Sequence, residues 1–225
     1  LAAVLLALLP GPNVVFLLDN PAVRESFFPS QPALAVEALA PGDLTAMDDI
    51  LRRHDGPEAA THLGAWHDVD PSAFAVVRDA ELDMAGFYCM LEPTRVPAAQ
   101  LAADPVTACW VRHLETSPVP EGQTALFLRR WLTRDTGEAP SDVQAACWCD
   151  VKRSYLVMRD SLRRLYVTAR DPQPYAEALG ALGFYMLDET VEVDGQAYGT
   201  AVLDFGPRLI HSWLMRLVDN ETGLA

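Results

Sequence analysis

Two backbone breaks and one tight turn divide residues 165–205 so sharply that few local arrangements fit them all. Leu165, Val167 and Ala169 alternate with Tyr166 and Thr168, as in a partly buried strand. Asp171-Pro172 ends that strand, because proline brings no N–H to a ladder and fixes its own φ. Pro174 suits a first helical turn, Tyr175, Ala178, Leu179 and Leu182 share one face, and Gly183 is placed to close the helix. Phe184 to Leu187 leads into a second run, Thr190 to Val193. Asp194-Gly195 then turns the chain into Tyr198–Phe205, the strongest short hairpin signal in the sequence.

Strand, short helix ending in Leu182-Gly183-Phe184, then a hairpin: this order resembles the C-terminal half of the Gcn5-related N-acetyltransferase (GNAT) fold. The resemblance implies an α+β, GNAT-like (acyl-CoA N-acyltransferase-type) mixed twisted sheet flanked by helices, and its order can be followed back to residue 33. Leu34, Val36 and Ala38 read as a first strand. Asp43 opens a helix with Leu44, Met47, Ile50 and Leu51 on one face, and a second helix runs through Thr61, Leu63 and Trp66. Phe74–Arg78 and Ala85–Leu91 read as a strand pair. Residues 93–123 form an insertion with a helix over 106–114. Thr124–Leu132 is the fourth strand, and a long helix capped by Ser141 reaches to about Leu162. The fourth strand and 165–169 should run parallel and splay, with the long helix crossing between them. Residues 1–32 read as an N-terminal extension or the tail of a preceding domain, 33–206 as the GNAT-like domain, and 207–225 as a C-terminal helix or tail.

In the family that this order resembles, the loop after the fourth strand cradles the coenzyme A pyrophosphate with backbone N–H groups at a helix N-terminus. Here Arg134, Gly137 and Ala139 lie on the family pattern, followed by Ser141. Pro140 removes a donor, and Asp135, Glu138 and Asp142 bring carboxylates to the phosphate position. Two anions about 4 Å apart repel by roughly 1–4 kcal/mol. The family's proton-donating tyrosine falls at Leu179, which cannot transfer a proton. Tyr175, one turn earlier, is the available catalytic substitute, and a packing role suits it as well. Glu115, Glu121 and His113 are candidate bases that also read as solvated surface.

The formal net charge of −14 speaks against nucleic acid and anionic membrane partners for this domain, and long-range repulsion disfavours an anionic cofactor. Four cysteines give no disulfide-scaffold density, which points to a cytoplasmic protein. Cys147 and Cys149, two apart on a helix, diverge too far to chelate one metal, so no metal site is expected. Lys152, Arg153, Arg159, Arg163 and Arg164 read as the solvated face of the long helix. A first residue other than Met suggests a piece of a longer protein. The sequence therefore reads as a degenerate GNAT-like domain, a non-catalytic sensory, binding or regulatory module with neighbouring domains as partners and no cofactor. The alternative is an N-acetyltransferase that carries acetyl from acetyl-CoA to an amine. The apolar start, Leu1 to Leu18, should pack on the main body, so its deletion is expected to cause aggregation, measurable by light scattering.

Overall fold

A computed structural model of the chain describes residues 34–222. The expected N-terminal extension, with the packing of Leu1 to Leu18, lies outside these residues. Strands β1 (Ala35–Ala38), β2 (Phe74–Arg78), β3 (Met84–Leu91) and β4 (Thr124–Thr133) pair antiparallel in sequence order. Helices α1 (Leu44–His54) and α2 (Pro57–Val69) separate β1 from β2, while α3 (Ala98–Ala103) and α4 (Pro105–Thr116) occupy the expected insertion. From β4 the chain crosses by α5 (Asp142–Val157) to β5 (Leu162–Ala169), which pairs parallel with β4. A parallel neighbour requires such a crossover, whereas a hairpin can only reverse direction. Then come α6 (Ala176–Leu182), β6 (Phe184–Met186), β7 (Val191–Val193), β8 (Gln196–Asp204) and α7 (Ile210–Thr222). The sheet order is β1-β2-β3-β4-β5-β8-β6, with β7 paired to β8.

Both faces of the sheet are covered, so that every residue of β4 is buried. Trp66, Trp110, Phe127, Tyr166 and Tyr198 pack on the face of α1, α2 and α4. Trp131, Val151, Tyr155, Phe205 and Trp213 pack on the face of α5 and α7.

Three local expectations need correction. The long helix ends at Val157, because the parallel ladder claims the residues after it: Thr124 N–H donates to the Ser161 carbonyl at 2.8 Å, and Leu162 pairs with Thr124. Arg163 and Arg164 therefore belong to β5 and not to a solvated helix face, and both meet Asp204, at 2.8 and 3.1 Å. Phe184–Met186 is a strand of its own on β8, and Tyr175 closes a 3-10 turn before α6 instead of lying within the helix.

Two features shape the open end of the sheet. The β4–β5 ladder runs from Thr124 to Leu128 and stops, so the strands part beyond it. The cause is a β-bulge: Cys89 pairs with Arg130 but Met90 pairs with Leu128, leaving Arg129 as the extra residue on β4. Across the opening, the β7–β8 hairpin turns at Asp194 (φ 53°) and Gly195 (φ 68°), both in the positive region that a two-residue hairpin needs. The Asp194 carboxylate also accepts the Glu58 and Ala59 N–H groups at 2.6 and 3.2 Å, capping α2 from a distant part of the chain. Asp194→Ala should therefore cost about 1 kcal/mol or more, the loss of a helix cap. Asp194→Asn, which keeps a turn residue, should cost less; denaturant unfolding of the two variants measures the difference.

Candidate functional site

The bulge at Arg129 decides what enters the gap between β4 and β5. Alternation would send adjacent side chains to opposite faces, but the inserted residue lets Arg129 and Arg130 both point to the α1–α2 side. Each guanidinium is buried, at 1% and 0% exposure, so each must be neutralised in place. Arg129 makes a two-pronged pair with Asp104, at 2.6 and 3.1 Å. Asp104 also accepts the Trp66 indole N–H at 2.8 Å and caps α4 through the Val106 N–H at 3.0 Å. Burial pushes the Asp104 carboxyl up, yet Arg129 outweighs it and holds the carboxyl below its ordinary range.

Arg130 takes Asp55, just past the last turn of α1, at 2.5 and 2.7 Å, and Glu138 from the loop after β4. Burial opposes the Arg130 charge, and the two carboxylates more than restore it. Asp55 is likewise raised by burial and lowered further by Arg130 and Arg170, so it stays ionised below the usual carboxylate range. The Tyr198 ring lies 6.0 and 5.5 Å from the two guanidinium carbons. Burial and then Asp55 push the Tyr198 hydroxyl up to about 12.

Glu138 reaches across the mouth of the gap. Besides Arg130, its carboxylate accepts the N–H groups of Arg170 and Asp171, at 2.8 and 2.5 Å, just beyond β5. Arg170 in turn meets Asp55 at 3.1 Å and donates to the His54 carbonyl. In front of this network opens a cleft of about 720 Å³, lined by Arg53 and His54 of α1, residues 136–139 of the loop, Arg130, Arg170, Asp171, Pro174, Gln196 and Ala197.

Of the loop residues proposed for cofactor binding, Gly137 and Ala139 line this cleft and Arg134 and Ser141 do not, and the polar groups of all four are turned to other work. The Arg134 guanidinium reaches back to Asp79 at 3.3 Å, and its carbonyl accepts the ring nitrogen of His54 at 3.0 Å. The Gly137 carbonyl accepts the Thr133 N–H at 2.8 Å and the Gln144 amide at 3.1 Å. Ala139 N–H donates to Thr136 at 3.2 Å, and the Ser141 hydroxyl caps α5 at Gln144 N–H, 3.2 Å away. Of the three loop carboxylates, Glu138 faces the cleft, while Asp135 and Asp142 are exposed.

Tyr175 lies on the opposite side of the gap. Its hydroxyl donates to the Glu138 carbonyl at 2.6 Å, and its ring stacks 5.5 Å from Trp131, which continues to Trp148 at 5.5 Å and Phe184 at 5.9 Å. Burial and then the Glu138 charge raise the Tyr175 hydroxyl well above its ordinary value. These rings bridge β4, α5 and the segment after β5, with Leu179 packed on the same core. The candidate bases lie outside the cleft lining. Glu115 and Glu121 are exposed, and His113 sits half-buried with Nδ1 2.7 Å from the Tyr166 hydroxyl. Burial and then Arg164 lower the His113 pKa.

Sequence reading missed Asp55, Arg130, Glu138 as an ion-pair partner, and Arg170. One signal was present: Arg129-Arg130 interrupts an apolar strand with two adjacent charges, which on a doubly covered sheet requires a bulge and buried partners.

Because Asp55 and Asp104 are both depressed in the folded chain, their contribution is present above the unfolded carboxylate value and is lost as pH falls through their folded values. Thermal midpoints should therefore decline below about pH 4. Asp55→Asn should lower stability by about 3–5 kcal/mol at neutral pH, since it strands part of a buried charge, and should flatten the acid decline.

No family model matches the sequence, and no curated protein matches it. Solved structures do. FeeM, an N-acyl amino acid synthase from uncultured soil microbes, is similar at 14% identity over 85% of this chain and 97% of its own, with a TM-score of 0.53. The C-terminal condensation domain of Ebony, in complex with beta-alanyl-dopamine, is similar at 14% identity over 77% and 99%, with a TM-score of 0.52. BCP1 from Saccharomyces cerevisiae is similar at 12% identity over 89% and 94%, with a TM-score of 0.50. At these identities the likeness is one of fold. Among the described residues, no helix is long and apolar enough to cross a membrane.

Proposed function

We propose that this chain, which has the GNAT fold, is a non-catalytic binding module whose acyl-donor route is closed by its own side chains. The observation that carries this reading is Glu138. Its carboxylate holds Arg130 and the first two N–H groups beyond β5, across the mouth through which a donor thioester would have to lie between the parted strands. A polyphosphate would meet that charge, and the loop's N–H groups at Thr136 and Ala139 are already bonded within the loop. On the far side, the stack of Trp131, Tyr175, Trp148 and Phe184 fills the space beside β4. The residues present do not fit acetyl-CoA. What this arrangement leaves is the cleft beside the end of α1, open to a small ligand.

A second reading, an N-acetyltransferase acting on an amine, is favoured by one feature: the bulge and the parting of β4 and β5 persist, so the donor gap exists in outline. Calorimetric titration with acetyl-CoA separates the two. No saturable heat is expected up to millimolar cofactor. A dissociation constant in the low micromolar range, about −8 kcal/mol, would overturn the first reading and establish the second.

A further inference from the structure

We propose that Arg130 and the N–H groups of Arg170 and Asp171 form a carboxylate-binding site, occupied at rest by Glu138, from which a free small carboxylate entering the cleft displaces it. This deepens the reading of the cleft as a binding site and rests on it. The donor set has the features of a carboxylate receptor. One guanidinium is fixed at 0% exposure by Asp55, and two successive backbone N–H groups lie where a strand has just ended. Neither N–H can turn to another strand, because the β5 ladder with β8 ends at Ala169. An anion is therefore the natural partner for both.

Glu138 meets the need for that anion as a tethered group. Its backbone is held independently of its carboxylate: the Tyr175 hydroxyl binds its carbonyl, Thr133 N–H binds the Gly137 carbonyl, and Ala139 N–H binds Thr136. Release of the carboxylate thus needs only side-chain rotation out through the open mouth of the 720 Å³ cleft, with the loop in place. The charge balance favours replacement by one carboxylate. With Glu138 in position, Arg53, Arg130 and Arg170 face Asp55, Asp171 and Glu138, three against three. With Glu138 turned away, three cations face two anions. Arg53 adds a further point of attachment, since its guanidinium reaches the Arg134 carbonyl at 3.3 Å and no carboxylate among the described residues. Gln196, also at the cleft wall, has a buried side-chain oxygen with no partner, which suits a ligand carrying a donor beside its carboxylate.

The test uses acetate and N-acetylglycine as probes, with acetamide and chloride at equal ionic strength as controls. In amide NMR spectra of the unaltered chain, the Arg170 and Asp171 resonances should shift saturably with both carboxylates and not with the controls. Glu138→Ala, which removes the competing group, should bind the same probes at least tenfold more tightly and gain thermal stability from them. Absence of a saturable shift in the unaltered chain overturns the proposal, even if Glu138→Ala responds, because Glu138 would then be a permanent staple. If Glu138→Ala fails to fold, the unaltered chain alone decides. Tight acetyl-CoA binding alongside a carboxylate response would overturn the closed-donor reading and leave this site standing. No response to either probe, with no acetyl-CoA binding, would do the reverse.

Discussion

The burial of the Arg130 guanidinium is the constraint on which the open end of this fold depends. A cation without solvent must find its countercharges in fixed positions, and no single element supplies them. Asp55 comes from the end of α1, Glu138 from the loop after β4, and Arg170 from beyond β5 balances Asp55. One charge on β4 therefore sets the relative positions of a helix, a loop and a neighbouring strand. Such a network is a poor source of net stability, since well-packed apolar side chains of similar volume often do as well. It is costly to break and specific in geometry, which is what a cleft wall requires.

The same network explains how the chain keeps the outline of its fold while its own side chains occupy the gap between β4 and β5. The bulge still separates β4 from β5, because Arg129 must reach Asp104 and Arg130 must reach Asp55. The separation thus serves internal ion pairs on one face and an aromatic stack on the other. Tyr175 belongs to both, with its ring in the stack and its hydroxyl on the loop. A tyrosine so engaged ties the loop to the stack.

Much of the topology was legible in the sequence because it rests on local rules. Asp194-Gly195 can turn a hairpin, Asp171-Pro172 must end a strand, and the apolar spacing of Leu44, Met47, Ile50 and Leu51 marks one helix face. The end of α5 was not legible, since Arg159 to Arg164 continue a helical pattern tolerably and only the ladder with β4 draws Leu162 into a strand. The site was legible in part. The loop after β4 was recognisable by its position, and residues 136–139 of it line the cleft; the excess of carboxylates in that loop was visible. That Glu138 alone of those carboxylates turns inward depends on N–H groups 32 and 33 positions further on, and Asp55 waits for an Arg130 that lies 75 positions away. No local pattern encodes these.

The cap that Asp194 places on α2 joins residues 136 apart in sequence. Contacts of such separation close the largest loops, and chain entropy opposes them until most of the sheet exists. Helix α2 is therefore completed by the hairpin tip late in folding. The cleft likewise draws its lining from residues 53–54, 136–139 and 196–197, so it belongs to the assembled fold as a whole and to neither half of the chain alone.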